Sequence, residues 1–228
     1  MKRCVLSSLV LSFVFLMAAT AHANSGELLT FQYLGDLQSV SNFYNGGGPA
    51  GIPNYGITFS SNFYGLRSYL DGGSGNFTPN HDGFPAIFLS NGLNAPAGSS
   101  ALGVMNVTPG FSNGLNFFYT AGFAPGQSET VKIWSGLNGT GTVLATIILA
   151  NNNGGCSAPL YCNWSTAGTS FSGTAYSVTF SGPGNELGLT DITVGSSITG
   201  VPEPSSIYLL GVGLVGVSLG KLRRYFLL

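Results

Sequence analysis

Residues able to do acid–base or nucleophilic chemistry are sparse between positions 24 and 200. That stretch holds one histidine, His81, in the loop-like run Thr78-Pro79-Asn80-His81-Asp82-Gly83. It holds seven carboxylates: Glu27, Asp36, Asp71, Asp82, Glu129, Glu186 and Asp191. No His-Glu-x-x-His, no Gly-x-Ser-x-Gly and no cysteine–histidine spacing accompanies them. Two carboxylates meeting in space would permit glycoside hydrolysis, but nothing in their spacing brings a pair together. The chain therefore reads as non-enzymatic, with a cryptic glycoside hydrolase as an alternative and His81 as a solvated loop residue.

The remaining chemistry is that of binding. Asp71, Asn76 and Asp82 put oxygen ligands in one neighbourhood, as calcium requires, though without the EF-hand spacing. The same residues also make a solvated turn, which is the preferred reading. Glu186 and Asp191 form a second, weaker candidate of the same kind, and no other cofactor is expected. Aromatic rings supply the one recognition hint. Tyr44 and Tyr64 fall in or near loops, and Tyr161 and Trp164 flank a short cysteine loop. Exposed, such rings stack on sugars; buried, they are core anchors. Of the three cysteines, Cys4 falls in the N-terminal segment read below as a signal peptide. With it removed, Cys156 and Cys162 are left as an even pair, and in an oxidising compartment they are expected to close a disulfide around residues 157–161. Zinc is the competing reading, disfavoured because no histidine lies nearby.

These residues must be positioned by strands. Leu29, Phe31 and Tyr33 alternate with polar neighbours, as do Ile57 with Phe59, and Tyr176, Val178 and Phe180. Leu115, Phe117 and Tyr119 share one face, and so do Val131 and Ile133. The run 143–149 is almost uniformly apolar and is expected to be a central strand. Asn138-Gly139 predicts a hairpin turn between two of these segments. Glycine-rich breaks at 45–49, 71–75 and 152–155 read as loops. No sustained helical period occurs in this region. The fold class that follows is all-β, an antiparallel two-sheet sandwich of the jelly-roll kind.

Charge separates this body from its flanks. Arg67 and Lys132 are its only cations against seven carboxylates, a net charge of −5. A weakly acidic body with two scattered cations excludes nucleic acid as a partner. The other five basic residues bracket two apolar segments at the ends. Lys2 and Arg3 precede an apolar run, and Ala21-His22-Ala23 is a small-x-small cleavage pattern. Residues 1–23 thus read as a signal peptide, with Asn24 as the mature start. At the other end, the run from Ser205 to Leu222 carries no charge until Lys221, and Arg223 and Arg224 follow. Residues 205–220 would span roughly 24 Å as a helix, a little short of the ~30 Å hydrocarbon core. A single transmembrane helix over 205–222 with its basic clamp in the cytoplasm is expected, which places residues 24–200 outside. The glycine pattern 211–216 mimics a dinucleotide fingerprint, but it lies within this segment and has no βαβ context.

Residues Val201-Pro202-Glu203-Pro204, the short apolar segment and the terminal basic cluster together resemble the PEP-CTERM sorting signal of Gram-negative bacteria. Tyr225 to Leu228 extend past the point where such tails usually stop. The resemblance implies recognition of 201–204 by an exosortase-like membrane protease, at least transient residence in the inner membrane, and delivery to the cell surface or extracellular matrix. Stretches 42–61, 131–145 and 189–194 resemble the extracellular sandwich common in such proteins. The expected role is a surface or biofilm-matrix protein, with binding of exopolysaccharide as the alternative.

Overall fold

Two long strands carry the architecture. The computed structural model describes residues 26–80 and 82–196. In chain order the strands are β1 (Glu27–Leu29), β2 (Ile57–Phe59), β3 (Phe63–Leu66), β4 (Ala86–Leu89), β5 (Ser100–Ala121), β6 (Glu129–Trp134), β7 (Val143–Leu149), β8 (Ser165–Pro183) and β9 (Leu187–Val194). The only helical pieces among the described residues are two 3₁₀ turns, Tyr69–Asp71 and Leu137–Gly139. A straight strand of the length of β5 would run roughly 70 Å, far beyond a domain of this size. It bends instead. Its register against β8 shifts on either side of Phe111, where Pro109 lacks an N–H and Gly110 takes φ 75°. β8 bends at the same level, with Gly173 at φ 94°.

The bend sends the halves of β5 and β8 into different layers. One layer runs β3-β4-β9 to the C-terminal half of β5 and the N-terminal half of β8, with β1 against β9. The other runs from β2 through the remaining halves of β5 and β8 to β6 and β7. All ladders are antiparallel, and hydrogen bonding is continuous through nine strands. The result is an all-β sandwich whose two sheets share their longest strands.

The layers close over aromatic rings. Phe63 of the first layer meets Phe180 of the second edge-on at 5.5 Å, and Phe180 meets Phe117 at 6.2 Å. All three are buried. Gly103 lies directly beneath this contact. A β-carbon there would run into the Phe63 ring and Leu89, so a side chain at 103 would push the layers apart.

Two sequence expectations need correction. Residues 31 and 33 do not continue β1, because Phe31 and Tyr33 adopt φ 59° and 69°. The loop folds back so that Phe31 enters the core while Tyr33 stays exposed. β7 is an edge strand, paired only to β6. Its apolar run leaves Ile148 61% exposed. The predicted hairpin is present: β6 and β7 pair across the 3₁₀ turn containing Asn138 and Gly139.

Candidate functional site

The cysteine loop is fastened to the first layer by backbone and amide bonds. Cys156 and Cys162 are joined as a disulfide, Cα atoms 5.7 Å apart. Tyr161 bridges to Phe77, with Thr78 N–H donating to the Tyr161 carbonyl at 2.8 Å and Tyr161 N–H to the Asn76 carbonyl at 3.2 Å. The Asn76 side chain accepts from Leu160 N–H at 3.2 Å. On the other flank, the buried Asn153 amide donates to Thr120 Oγ1 and the Ala121 carbonyl at 2.8 and 2.9 Å. Its Oδ1 accepts Asn163 N–H at 2.8 Å. These bonds let an exposed tip hold a fixed shape.

Between this tip and the outer face of β4 and β9 lies a cleft of about 240 Å³. Its apolar side is Phe77, Phe88 and Leu93, and its polar side is Asn76, Tyr161 and Glu186. Tyr161 Oη donates to Glu186 Oε2 at 2.8 Å. Burial, and then the bond to Glu186, push the phenol well above its ordinary value, so it remains a donor across physiological pH. The arrangement fixes one carboxylate oxygen and leaves the other free to accept from a ligand hydroxyl. An apolar floor beside such an acceptor matches the two faces of a sugar ring.

The predicted aromatics part company here. Tyr161 lines the cleft. Trp164 stands behind it, donating Nε1–H to the Thr78 carbonyl at 2.8 Å and meeting Phe77 edge-on at 5.7 Å. It braces the tip rather than forming a platform. Tyr64 is half-buried on the same outer face, 5.8 Å from Phe88. Tyr44 is a correction. It is 2% exposed, its hydroxyl accepts Phe31 N–H at 2.7 Å, and burial pushes its phenol up to about 12. It holds the 31–44 loop in the core and cannot stack on a ligand.

Two of the three oxygen ligands proposed for calcium each have an oxygen otherwise employed. Asn76 Oδ1 serves Leu160 N–H, and Asp82 Oδ1 accepts Phe84 N–H at 3.0 Å. Asp71 sits exposed at the end of its 3₁₀ turn. No three of histidine, cysteine, aspartate and glutamate converge among the described residues. The cleft uses Phe88 and Leu93, which no sequence pattern marked, and Glu186, which sequence had marked among the seven carboxylates and as a weak calcium candidate. A second opening of about 530 Å³ lies where the ends of the described chain meet, between Glu27, Tyr55 and Phe111 with Gly195 on its rim.

His81, the signal cleavage residues Ala21, Ala23 and Asn24, the tail motif 201–204 and the basic residues Lys221, Arg223 and Arg224 lie outside the described residues. Among the described residues no helix is long and apolar enough to cross a membrane.

The class defined so far is an all-β sandwich with a ligand-sized cleft on one outer face. Residues 200–224 match the PEP-CTERM protein-sorting motif, so the chain carries a tail that implies export and anchoring in a membrane. No curated protein shows significant similarity in sequence. Among solved structures, the K2 cleaved adhesin domain of Lys-gingipain is similar over 75% of this chain and 99% of its own, at 15% identity and TM-score 0.48. The K3 cleaved adhesin domain of Lys-gingipain from Porphyromonas gingivalis is similar over 60% and 92%, at 16% identity and TM-score 0.37. A xylan-binding domain from CBM 22 is similar over 78% and 99%, at 10% identity and TM-score 0.39.

Proposed function

We propose that this is an exported, non-enzymatic surface or matrix protein. An exosortase-like protease processes its tail, and its sandwich binds exopolysaccharide in the cleft beside the disulfide tip. The observation that carries the binding reading is the Tyr161–Glu186 bond at 2.8 Å over the Phe88 floor, a preorganised acceptor next to an apolar surface.

The test uses full-length protein in detergent and exopolysaccharide from its own host, separated into neutral and acidic fractions. Saturable binding of the neutral fraction is expected, weakened at least about tenfold in Glu186→Gln, as loss of a charge-assisted hydrogen bond implies. Equal binding by variant and parent would remove the cleft from the account. The sorting reading stands on the tail. Glu203→Ala with Pro204→Ala should leave a longer, membrane-retained chain in the host. Normal release of that double variant would sink it.

A further inference from the structure

The outer face of the second layer has a different chemistry. Lys132, one of the two cations in the body, projects from β6 with its ammonium 5.9 Å from the centroid of the Trp134 ring. The indole is held from below, donating Nε1–H to Thr179 Oγ1 on β8 at 2.9 Å. The end of the face is closed by the β6–β7 turn. There Asn106 Nδ2 donates to Asn138 Oδ1, and Asn138 N–H to Asn106 Oδ1, each at 2.8 Å. Lys132, Trp134, Thr130 and Ser181 border a shallow cleft of about 370 Å³. Register explains the grouping: Lys132 faces Thr179, Thr130 faces Ser181, and Trp134 faces Ser177. The Lys132 ammonium has no carboxylate partner among the described residues, and no side-chain bond occupies the Thr130 and Ser181 hydroxyls.

We propose that this face binds a carboxylated sugar residue of an acidic polysaccharide, with Lys132 meeting the carboxylate and Trp134 the ring. The charge pattern selects the ligand. One cation beside one aromatic ring matches one uronate, whereas a nucleic acid or an anionic membrane surface calls for several cations. The body as a whole is acidic, but its carboxylates lie elsewhere. Glu27, Glu186 and Asp191 are on or beside β1 and β9, and Asp36, Asp71 and Asp82 are in the loops around β3 and β4. Sheets in a sandwich pack ~10 Å apart, already beyond the ~8 Å screening length at physiological salt. Glu129, also on β6, is fully buried on the opposite side of the sheet. The site shares with the tip cleft only its general ligand class, and no residue lines both.

The test is binding of full-length protein in detergent to polygalacturonate and to the same polymer with its carboxyls reduced to alcohols. Polygalacturonate is expected to bind saturably and more weakly as salt rises. Affinity should drop about tenfold or more in Lys132→Gln. Trp134→Ala should lose binding as well. Lys132→Gln alters one partly exposed side chain, so it keeps the test valid if the tryptophan variant misfolds. Equal affinity for the carboxyl-reduced polymer, or an unaffected Lys132→Gln, would overturn the proposal. Failure of the neutral fraction to bind would remove the tip cleft and leave this result standing.

Discussion

The two outer faces of the sandwich reach ligand-sized sites by different means. On the first layer the cleft is walled by loops, and its shape depends on a disulfide and a set of asparagine bonds to the strands behind it. On the second layer the Lys132–Trp134 face is built from neighbouring strands, and only register brings its residues together. Charge divides along the same line. Every carboxylate of the described residues other than Glu129 belongs to the first layer, its strands or its loops. The second layer keeps Lys132 alone on its surface. A net charge of −5 for the body therefore describes neither face, and the sandwich can present opposite electrostatic characters to two ligands.

That contrast depends on Glu129 staying neutral. The carboxyl is 0% exposed, and neither oxygen has a hydrogen-bond partner among the described residues. Burial pushes its pKa up to about 8. The folded state thus holds a proton that the unfolded chain releases near pH 4.5, and stability must fall as pH rises between the two values. The slope from this group is roughly 1.4 kcal/mol per pH unit, or about 4 kcal/mol from pH 5 to pH 8. It flattens above the folded pKa, where both states are ionised. Urea unfolding of the parent at pH 5 and pH 8 should show the loss, and Glu129→Gln should largely abolish the difference. If parent and variant lose stability in parallel, the second layer carries a charged carboxylate after all and the electrostatic contrast collapses.

How far each face was legible in the sequence follows from the same division. Alternation located β6 through Val131 and Ile133, because one side of that strand is buried and the pattern is local. It also located the last part of β8 through Val178 and Phe180, although there Ser177 and Thr179 on the other side are buried too. The disulfide was legible because, once Cys4 is set aside with the N-terminal segment, Cys156 and Cys162 are the one pair left. The Lys132–Trp134 face was missed, since its partner Thr179 lies 45 positions away and only strand pairing joins them. β7 was misplaced for a related reason. An apolar run reports a preference for burial, while edge or centre is decided by which strands remain to pair with it. Residues 31 and 33 fit a strand by alternation, yet their positive φ turns the chain. Tyr44 sits next to a glycine-rich loop and looked available, but its hydroxyl closes the Phe31 turn inside the core. Glu186 was visible only as one of the acids and a weak calcium candidate, because Tyr161 reaches it from a separate loop 25 positions away.

The sharpest separation of the two faces comes from opening the tip. Cys156 and Cys162 are six residues apart, and closing so short a loop restricts the unfolded chain by roughly 2 kcal/mol in the chain-entropy description. Cys156→Ser with Cys162→Ser should lower the unfolding free energy by about that amount, a smaller effect than that of Glu129. The consequence for binding should be lopsided. Tyr161 precedes Cys162 directly, and its backbone pairs with Asn76 and Thr78, so loosening the tip moves the phenol away from Glu186. The neutral polysaccharide fraction should bind several-fold more weakly to the double serine variant. Lys132, Trp134 and Thr179 belong to the second layer and are held by the β6–β8 ladder, so polygalacturonate binding should be unchanged. Equal loss of both activities would mean that the faces are coupled through the shared strands β5 and β8, and that the sandwich responds as one unit.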